Sequence, residues 1–427
     1  MDYGKLGMSE ADRDDQLSQL NAIIAWFYMR GLDYFGGMPI YKSNNDPVVG
    51  RSTDKETFNH IEQLLKEAIP KLKQKKALGA SEDGYISQAA AATMLAELYF
   101  NAESYIKEDH YSECAKLCQD IIAGVYGPYQ LDSKWSGPFC FDNDKSPEAI
   151  WNVPSQNAKF NWYYRYFYHT NSPKYFNTTF PASIYNGFGL SPSREDAKTP
   201  YTDSDFKLGK PYSKFNDKDL RKQPYEYKGN GKYKGMFLVG DQINPTTGEK
   251  TLGNRSHSGQ LVSFVDYVNA DGKGSTMLNG EENSMIRLVK LPIPDNNDLT
   301  RLWDPDFPAI RLTEVYYMLA ECKWRAGDKA AAAQLINTVR KRNFTNGVDP
   351  DPVPDNFDVY RLADEWMVEF LGEGRRRTDL IRLGLFTTEN WWTHKATNDD
   401  NKKRFPIPSI DIQANPLLKQ NPGYDGK

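Results

Sequence analysis

The side chains with most to offer a ligand crowd into one segment, residues 159–177, which reads KFNWYYRYFYHTNSPKYFN. Trp162, Tyr163, Tyr164, Tyr166, Phe167, Tyr168, Tyr175 and Phe176 are interleaved there with Asn161, Arg165, His169, Asn171 and Lys174. A buried strand would favour Val, Ile and Leu, and the segment contains none. Tyrosine and tryptophan have an apolar face and a polar tip, which suits wet, partly apolar surfaces. A sugar ring offers C–H faces to such rings, and hydroxyls to the amides and charges between them. The same composition suits a protein interface, where Tyr, Trp and Arg are enriched, or plain aromatic packing. Single-stranded nucleic acid also stacks on aromatic platforms. A net charge of −4 supplies no field to attract it. The candidate binding residues are Trp162, Tyr163, Tyr164, Tyr166, Tyr168, Asn171 and Tyr175, with Tyr185 and Asn186 further on. Trp391 and Trp392 form a second, smaller candidate.

Catalytic signatures are missing from the sequence. There is no Gly-x-x-x-x-Gly-Lys-Ser/Thr loop, and Gly229-Asn230-Gly231 lacks the strand–turn–helix setting of a phosphate site. No Gly-x-Ser-x-Gly elbow or His-Glu-x-x-His occurs. Carboxylates abound, but sequence does not show a pair at glycosidase spacing. The five histidines (His60, His110, His169, His257, His394) include no i,i+3 or i,i+4 pair, and the four cysteines include no Cys-x-x-Cys. Cys114 and Cys118 are one helical turn apart, which suits small buried hydrophobes rather than a disulfide. The reading is a non-enzyme with no cofactor and no metal. Arg375-Arg376-Arg377 and Arg382 lie among Glu365, Glu369, Glu373 and Asp379. Guanidinium groups fork onto carboxylates, so Arg375, Asp379 and Arg382 read as fold residues.

The candidate ligand side chains need a scaffold, and 427 residues are enough for one large domain or two to three ordinary ones. Mean hydropathy is −0.70, and no apolar run reaches the length of a membrane span. The start, Met1-Asp2-Tyr3-Gly4-Lys5, is not a secretory signal. The chain is therefore expected to be soluble. Apolar periodicity predicts helices over residues 8–35, 55–72, 87–99, 111–123, 359–371 and 375–383, plus a pair over 313–342. In the first, Leu17, Leu20, Ile24, Phe27, Tyr28 and Leu32 recur at three- and four-residue steps, the pattern of an apolar helix face. Thr53 and Glu56 form a capping-box pattern before the second. Leu95, Ala96 and Tyr99, then Tyr111, Cys114, Cys118 and Ile121, follow a tetratricopeptide pattern. Tyr316, Leu319, Ala320, Gly327, Ala332, Ile336 and Val339 follow it more cleanly, with Lys323 departing. Between residues 155 and 308 the helical period vanishes, and short strands are expected, for example over 259–267 and 284–289.

Three strings then fall in a telling order. They are IRLTEVYYMLAE (310–321) with Gly327-Asp328, EGRRRTDLIRLG (373–384), and FPIP (405–408) followed by NP and QNPGY (420–424). Together with YFGGMPI (34–40), GLSPSRED (189–196) and NDKDLRKQPYEY (216–227), they resemble the SusD/RagB family of outer-membrane glycan-binding lipoproteins. The resemblance covers nearly the whole chain.

The resemblance implies a mainly α fold, a tetratricopeptide-like helical-repeat scaffold with an irregular, β-containing insert. The expected division is 1–154 helical, 155–308 loop-rich and recognition-bearing, and 309–427 helical with a proline-rich closing strap. It implies non-catalytic capture of oligo- or polysaccharide at the bacterial cell surface and delivery to a SusC-like TonB-dependent transporter. The implied location is the outer membrane, reached through a lipid anchor absent from this chain. The family also has about a hundred more residues before the segment matching 34–40, so a longer native N-terminus is expected. A peptide- or protein-binding scaffold and, behind it, a polysaccharide-degrading enzyme are the rival readings.

Overall fold

The computed structural model describes residues 7–43, 45–82, 84–156, 188–253, 256–268, 275–301 and 304–424. Helices dominate both ends of the chain. They are α1 (Glu10–Phe35), α2 (Asp54–Ala68), α3 (Gln88–Phe100), the short α4 (Ala102–Ile106) and α5 (Tyr111–Ile122). A single turn, α6 (Pro211–Lys214), lies in the insert. Then come α7 (Leu312–Arg325), α8 (Lys329–Arg340), α9 (Val359–Glu369), α10 (Arg376–Arg382) and α11 (Ser409–Ala414).

Local chemistry sets most of these boundaries. Ser9, Thr53, Ser87, Asp328 and Asp358 each accept a backbone N–H at a helix start. The Thr53–Glu56 capping box forms as the sequence predicts. Pro70 converts the end of α2 into a 3-10 turn, Ile69–Lys71.

The helices stack in the order α1–α2–α3–α5–α7–α8. Small residues allow the close approach: Ala89, Ala90, Ala91 and Ala92 on α3, and Ala332 and Ala333 on α8, are all buried. The helices form one continuous apolar core that includes residues from both ends of the chain, Ala22 and Met29 through Ile336 and Trp366. Cys114 and Cys118 lie in that core as free thiols, with their Sγ atoms 4.0 Å apart. This is the tetratricopeptide-like arrangement the repeat pattern implies. Residues 102–106 form α4, which accounts for the long connection before α5.

The inward face of α1 carries Ala22, Ala25, Met29 and Leu32, while Leu17, Leu20, Ile24 and Phe27 are exposed. Two apolar stripes of helical period share α1, and periodicity alone does not choose between them. Packing selects the stripe with the smaller side chains, which brings α1 close to α2.

Strands are few and short among the described residues. β1 (Ala149–Val153) pairs antiparallel with β8 (Phe307–Arg311), which closes the base of the insert. Inside it, β2 (Glu226–Tyr227) pairs with β3 (Tyr233–Lys234), β4 (Phe237–Leu238) with β7 (Arg287–Leu288), and β5 (Gly240–Asp241) with β6 (Ser263–Phe264). The predicted strands over 259–267 and 284–289 thus shrink to two-residue pairs. A second apolar core, including Phe237, Val262, Phe264, Ile286 and Ile293, lies beneath them and reaches Met367 and Val368 of α9.

Buried charge joins the insert to the scaffold. Arg311 donates to Glu148 at 3.1 Å, Glu369 at 2.9 Å and Glu373 at 2.9 Å. Arg342 bonds Glu148 and Glu369. From the insert, Arg221 reaches Asp219 at 2.7 Å and Glu369 at 2.8 Å, and Lys290 reaches the Glu369 carbonyl at 3.1 Å and the Glu373 carboxylate. Burial works against the Glu369 charge, but Arg311, Arg342 and Arg221 outweigh it and hold the carboxyl far below its usual range. Burial pulls the Lys290 ammonium down to about 8.

A second cluster fixes the C-terminal helices. Arg382 forks onto Glu321 at 2.9 and 3.0 Å, reaches Asp379 at 2.9 Å, and lies 3.9 Å over the Phe100 ring. Arg375 holds Asp379 and Glu314. The closing strap ties back to α1, where Phe405 N–H donates to Tyr34 O at 2.8 Å. Asn421 donates to Phe35 O at 3.0 Å and Phe405 O at 2.8 Å, and accepts from Arg51 at 2.8 Å.

Two substitutions test this architecture. Ala332→Trp should overpack the crossing of α8 and cost about 1–3 kcal/mol in denaturant unfolding. Arg382→Ala leaves Asp379 to Arg375 and Glu321 to Arg325 and Trp366, and should cost about 3 kcal/mol, the lower end for a broken buried ion pair, by the same measurement.

Candidate functional site

The sequence candidates 162–176, with Tyr185 and Asn186, lie in 157–187, outside the described residues. The described chain resumes at Phe188, which is exposed, and within one residue it becomes the wall of a cavity. That cavity has a volume of about 410 Å³, within the range of small-molecule sites.

Three elements build it. Gly189, Leu190 and Ser191 form one side, and Leu208, Gly209 and Pro211 form the next. The floor comes from α9, the turn after it and α10, through Met367, Leu371, Arg376, Arg377 and Leu380. Phe386 and Trp391 close the rim. Gly209 has φ +80°, and a Cβ there would stand 3.2 Å from the Trp391 Cβ. Glycine therefore lets the 208–211 turn fold tightly against the indole.

Trp391 is held by a tight reversal. Its N–H donates to His394 O at 3.2 Å, and His394 N–H returns a bond to Trp391 O at 2.8 Å. The two rings stack with centroids 3.6 Å apart and planes within 10°. Burial lowers the His394 pKa, against the raising effect of a hydrogen bond to the Phe386 backbone, so the imidazole is neutral at pH 7 and packs flat on the indole. Trp392 points elsewhere, its Nε1 donating to Ser275 O at 2.7 Å, which anchors the turn to the insert. Of the two tryptophans in the second candidate, only Trp391 lines the cavity.

Two guanidinium groups bring polarity to this apolar space. Arg377 is engaged, pairing with Asp33 at 2.8 Å and lying over the Phe405 ring. Arg376 donates one bond, to Ala363 O at 2.6 Å, and burial lowers its pKa. A flat aromatic wall beside N–H donors suits a ring with one apolar face and hydroxyls at its edge. The arginine run 375–377 had read as wholly architectural. That holds for Arg375, while Arg376 and Arg377 both bond the fold and line the cavity. Residue type alone does not separate the three arginines, because two of them meet the cavity and one does not. Among the described residues, no group of three or more His, Cys, Asp or Glu is placed to hold a metal ion.

A helical-repeat scaffold with a latched, loop-rich insert is the class of protein that the fold and cavity define. Comparison with known proteins takes this further. The SusD family matches residues 147–424, well over half of the chain, and the chain belongs to that family. The starch-binding protein SusD of Bacteroides thetaiotaomicron is 24% identical across 98% of this chain and 74% of its own. SusD-like protein P25 of Formosa agariphila is 34% identical over 126 residues, 27% of this chain and 24% of its own. A SusD superfamily protein of Bacteroides fragilis superposes with a TM-score of 0.67 at 19% identity, over 98% of this chain and 81% of that one. The surface glycan-binding protein A of Bacteroides uniformis gives 0.61 at 19%, over 97% and 79%.

Gly209→Ala tests the construction of the rim. It should cost about 1–2 kcal/mol through the left-handed backbone, read as a lower Tm. It should also shift tryptophan emission to longer wavelength as Trp391 loses its cover.

Proposed function

We propose that this protein is a non-catalytic glycan receptor of the bacterial cell surface, which captures oligo- or polysaccharide and passes it to a SusC-like TonB-dependent transporter. Membership of the SusD family carries this reading, supported by relatives whose names record starch and glycan binding. It operates at the outer membrane, held by a lipid anchor. No helix among the described residues is long and apolar enough to cross a membrane.

Recognition belongs to the insert, residues 155–308, carried between helical parts 1–154 and 309–427. The aromatic segment supplies the platform through Trp162, Tyr163, Tyr164, Tyr166, Tyr168 and Tyr175, with Asn171, Tyr185 and Asn186 bonding hydroxyls. The described chain resumes after that segment at Phe188, next to the cavity wall at Gly189, which supports a shared role for segment and cavity in holding one glycan. The rings stack on sugar faces while Arg376 and the amides fix orientation. Such contacts give affinity modest enough for release into a pore. No covalent step is needed, and the protein has no part in bond cleavage.

A glycan array on purified protein, run beside a peptide pool, should return glycans. Titration calorimetry with the best oligosaccharide then tests the platform. Trp162→Ala should weaken binding by roughly 1–3 kcal/mol, the scale of ring stacking on bases, with Tm unchanged. Trp391→Ala should weaken it too, because it removes the cavity wall. Normal affinity for Trp162→Ala, or a collapse of its Tm, would put the segment in the core or an interface. Peptides alone binding would favour the scaffold reading, and product release from the oligosaccharide would make the protein an enzyme.

A further inference from the structure

Five arginines of this protein fork onto carboxylates through the same edge of the guanidinium, the one formed by Nε and Nη2. Arg221 meets Asp219 in this way, Arg311 meets Glu373, and Arg340 meets Asp349. Arg375 meets Asp379, and Arg382 meets Glu321. Arg376 does not follow them. It makes one hydrogen bond, from Nη1 to Ala363 O, and no ion pair among the described residues. A guanidinium has five N–H donors, so the Nε/Nη2 edge of Arg376 is left without a protein acceptor.

The carboxylates around it are already matched. Asp364 is held by Lys214 at 2.6 Å, Asp379 by Arg375 and Arg382, and Asp33 by Arg377 at 2.8 Å. Burial lowers the Arg376 pKa beyond what Asp364 and Asp379 restore. In the five forked arginines burial acts the same way, but their carboxylates outweigh it and the pKa rises. A partly buried charge is costly until a counter-charge is supplied. Arg376 also lines the cavity, whose walls are built wholly from residues 189–391. Among the described residues that line it, the charged ones are Arg376 and Arg377, and no Asp or Glu is present.

We propose, resting on the glycan reading of this cavity, that the saccharide it holds is acidic: a hexuronate residue sets its carboxylate on the Nε/Nη2 edge of Arg376 and its ring on Trp391. The two oxygens of one planar carboxylate match two parallel N–H bonds, as they do in the five internal pairs. The hexuronate ring keeps its C–H faces for the indole of Trp391, which is backed by the stacked His394 ring. The overall charge of −4 does not oppose this, because at physiological salt charges more than about 8 Å apart are largely screened, and the cation is local.

Titration calorimetry on the full chain decides it. Short oligosaccharides of glucuronate, galacturonate and mannuronate are compared with their carboxyl-reduced forms, which are neutral and keep the same rings. Sulfated galactose oligosaccharides form a third set. One uronate series should bind roughly ten- to a hundredfold tighter than its reduced form, the scale of a charged hydrogen bond. Arg376→Gln should bring the two affinities level. Arg376→Lys, which keeps the charge and loses the fork, should keep only part of the difference. If Arg376→Gln does not fold, the parent protein with paired acid and reduced ligands, beside Arg376→Lys, still decides. Reduced forms that bind as well as the acids, or a sulfated set that binds tighter than every uronate, overturn the proposal and leave glycan capture standing. A preference for uronate that survives in both variants overturns the role of Arg376. Binding of no saccharide in any set overturns the glycan reading together with this one.

Discussion

Eight charges buried between scaffold and insert hold this protein in one arrangement. Glu148, Asp219, Glu369 and Glu373 are set against Arg221, Lys290, Arg311 and Arg342, so the cluster is neutral. Water is largely excluded, so each charge depends on its neighbours. Such a cluster is weak evidence for extra stability, because apolar side chains of equal volume often do as well. Its effect is on geometry. Each forked contact is met in one relative position of the insert, β8 and α9. The cavity has its floor on α9 and α10 and its walls on the insert, so its shape follows from that position.

The charged cluster also explains why the family strings read as they do. Arg311 is the arginine of IRLTE, Asp219 and Arg221 come from NDKDLRKQ, and Glu373 opens EGRRRTDL. Three of the strings contribute charges to the cluster, and the Arg311–Glu373 pair joins two of them directly. Read singly they look like polar loop sequence, and their order along the chain is what identifies them. The helical scaffold was legible for a related reason. Small residues at Ala89–Ala92 and Ala332 fall where helix pairs cross, and capping residues mark the starts.

Other features were hidden from sequence for identifiable reasons. α1 carries two apolar stripes of the same period, and tertiary packing chose the alanine face. The insert is built from two-residue strand pairs, too short for an alternating pattern to register. In the cavity, Trp391 was legible as an exposed-type aromatic, but its stacking on His394 depends on a reversal that residue types alone do not announce. Arg376 and Arg377 meet the cavity and Arg375 does not, which residue type alone does not show. The candidate aromatic segment at 159–177 was read from composition alone.

The strap has a consequence for the order of assembly. Asn421 binds the Phe35 carbonyl across 386 residues of chain, so the end of α1 is not sealed until the strap exists. Contacts this remote in sequence form slowly, because most of the loop-closure entropy must be lost before they reward the chain. During synthesis, α1 and α2 can pair early, but the clip joining Phe35, Arg51 and Phe405 waits for Asn421. A chain lacking Asn421 would thus be helical yet unlatched where α1 meets the strap.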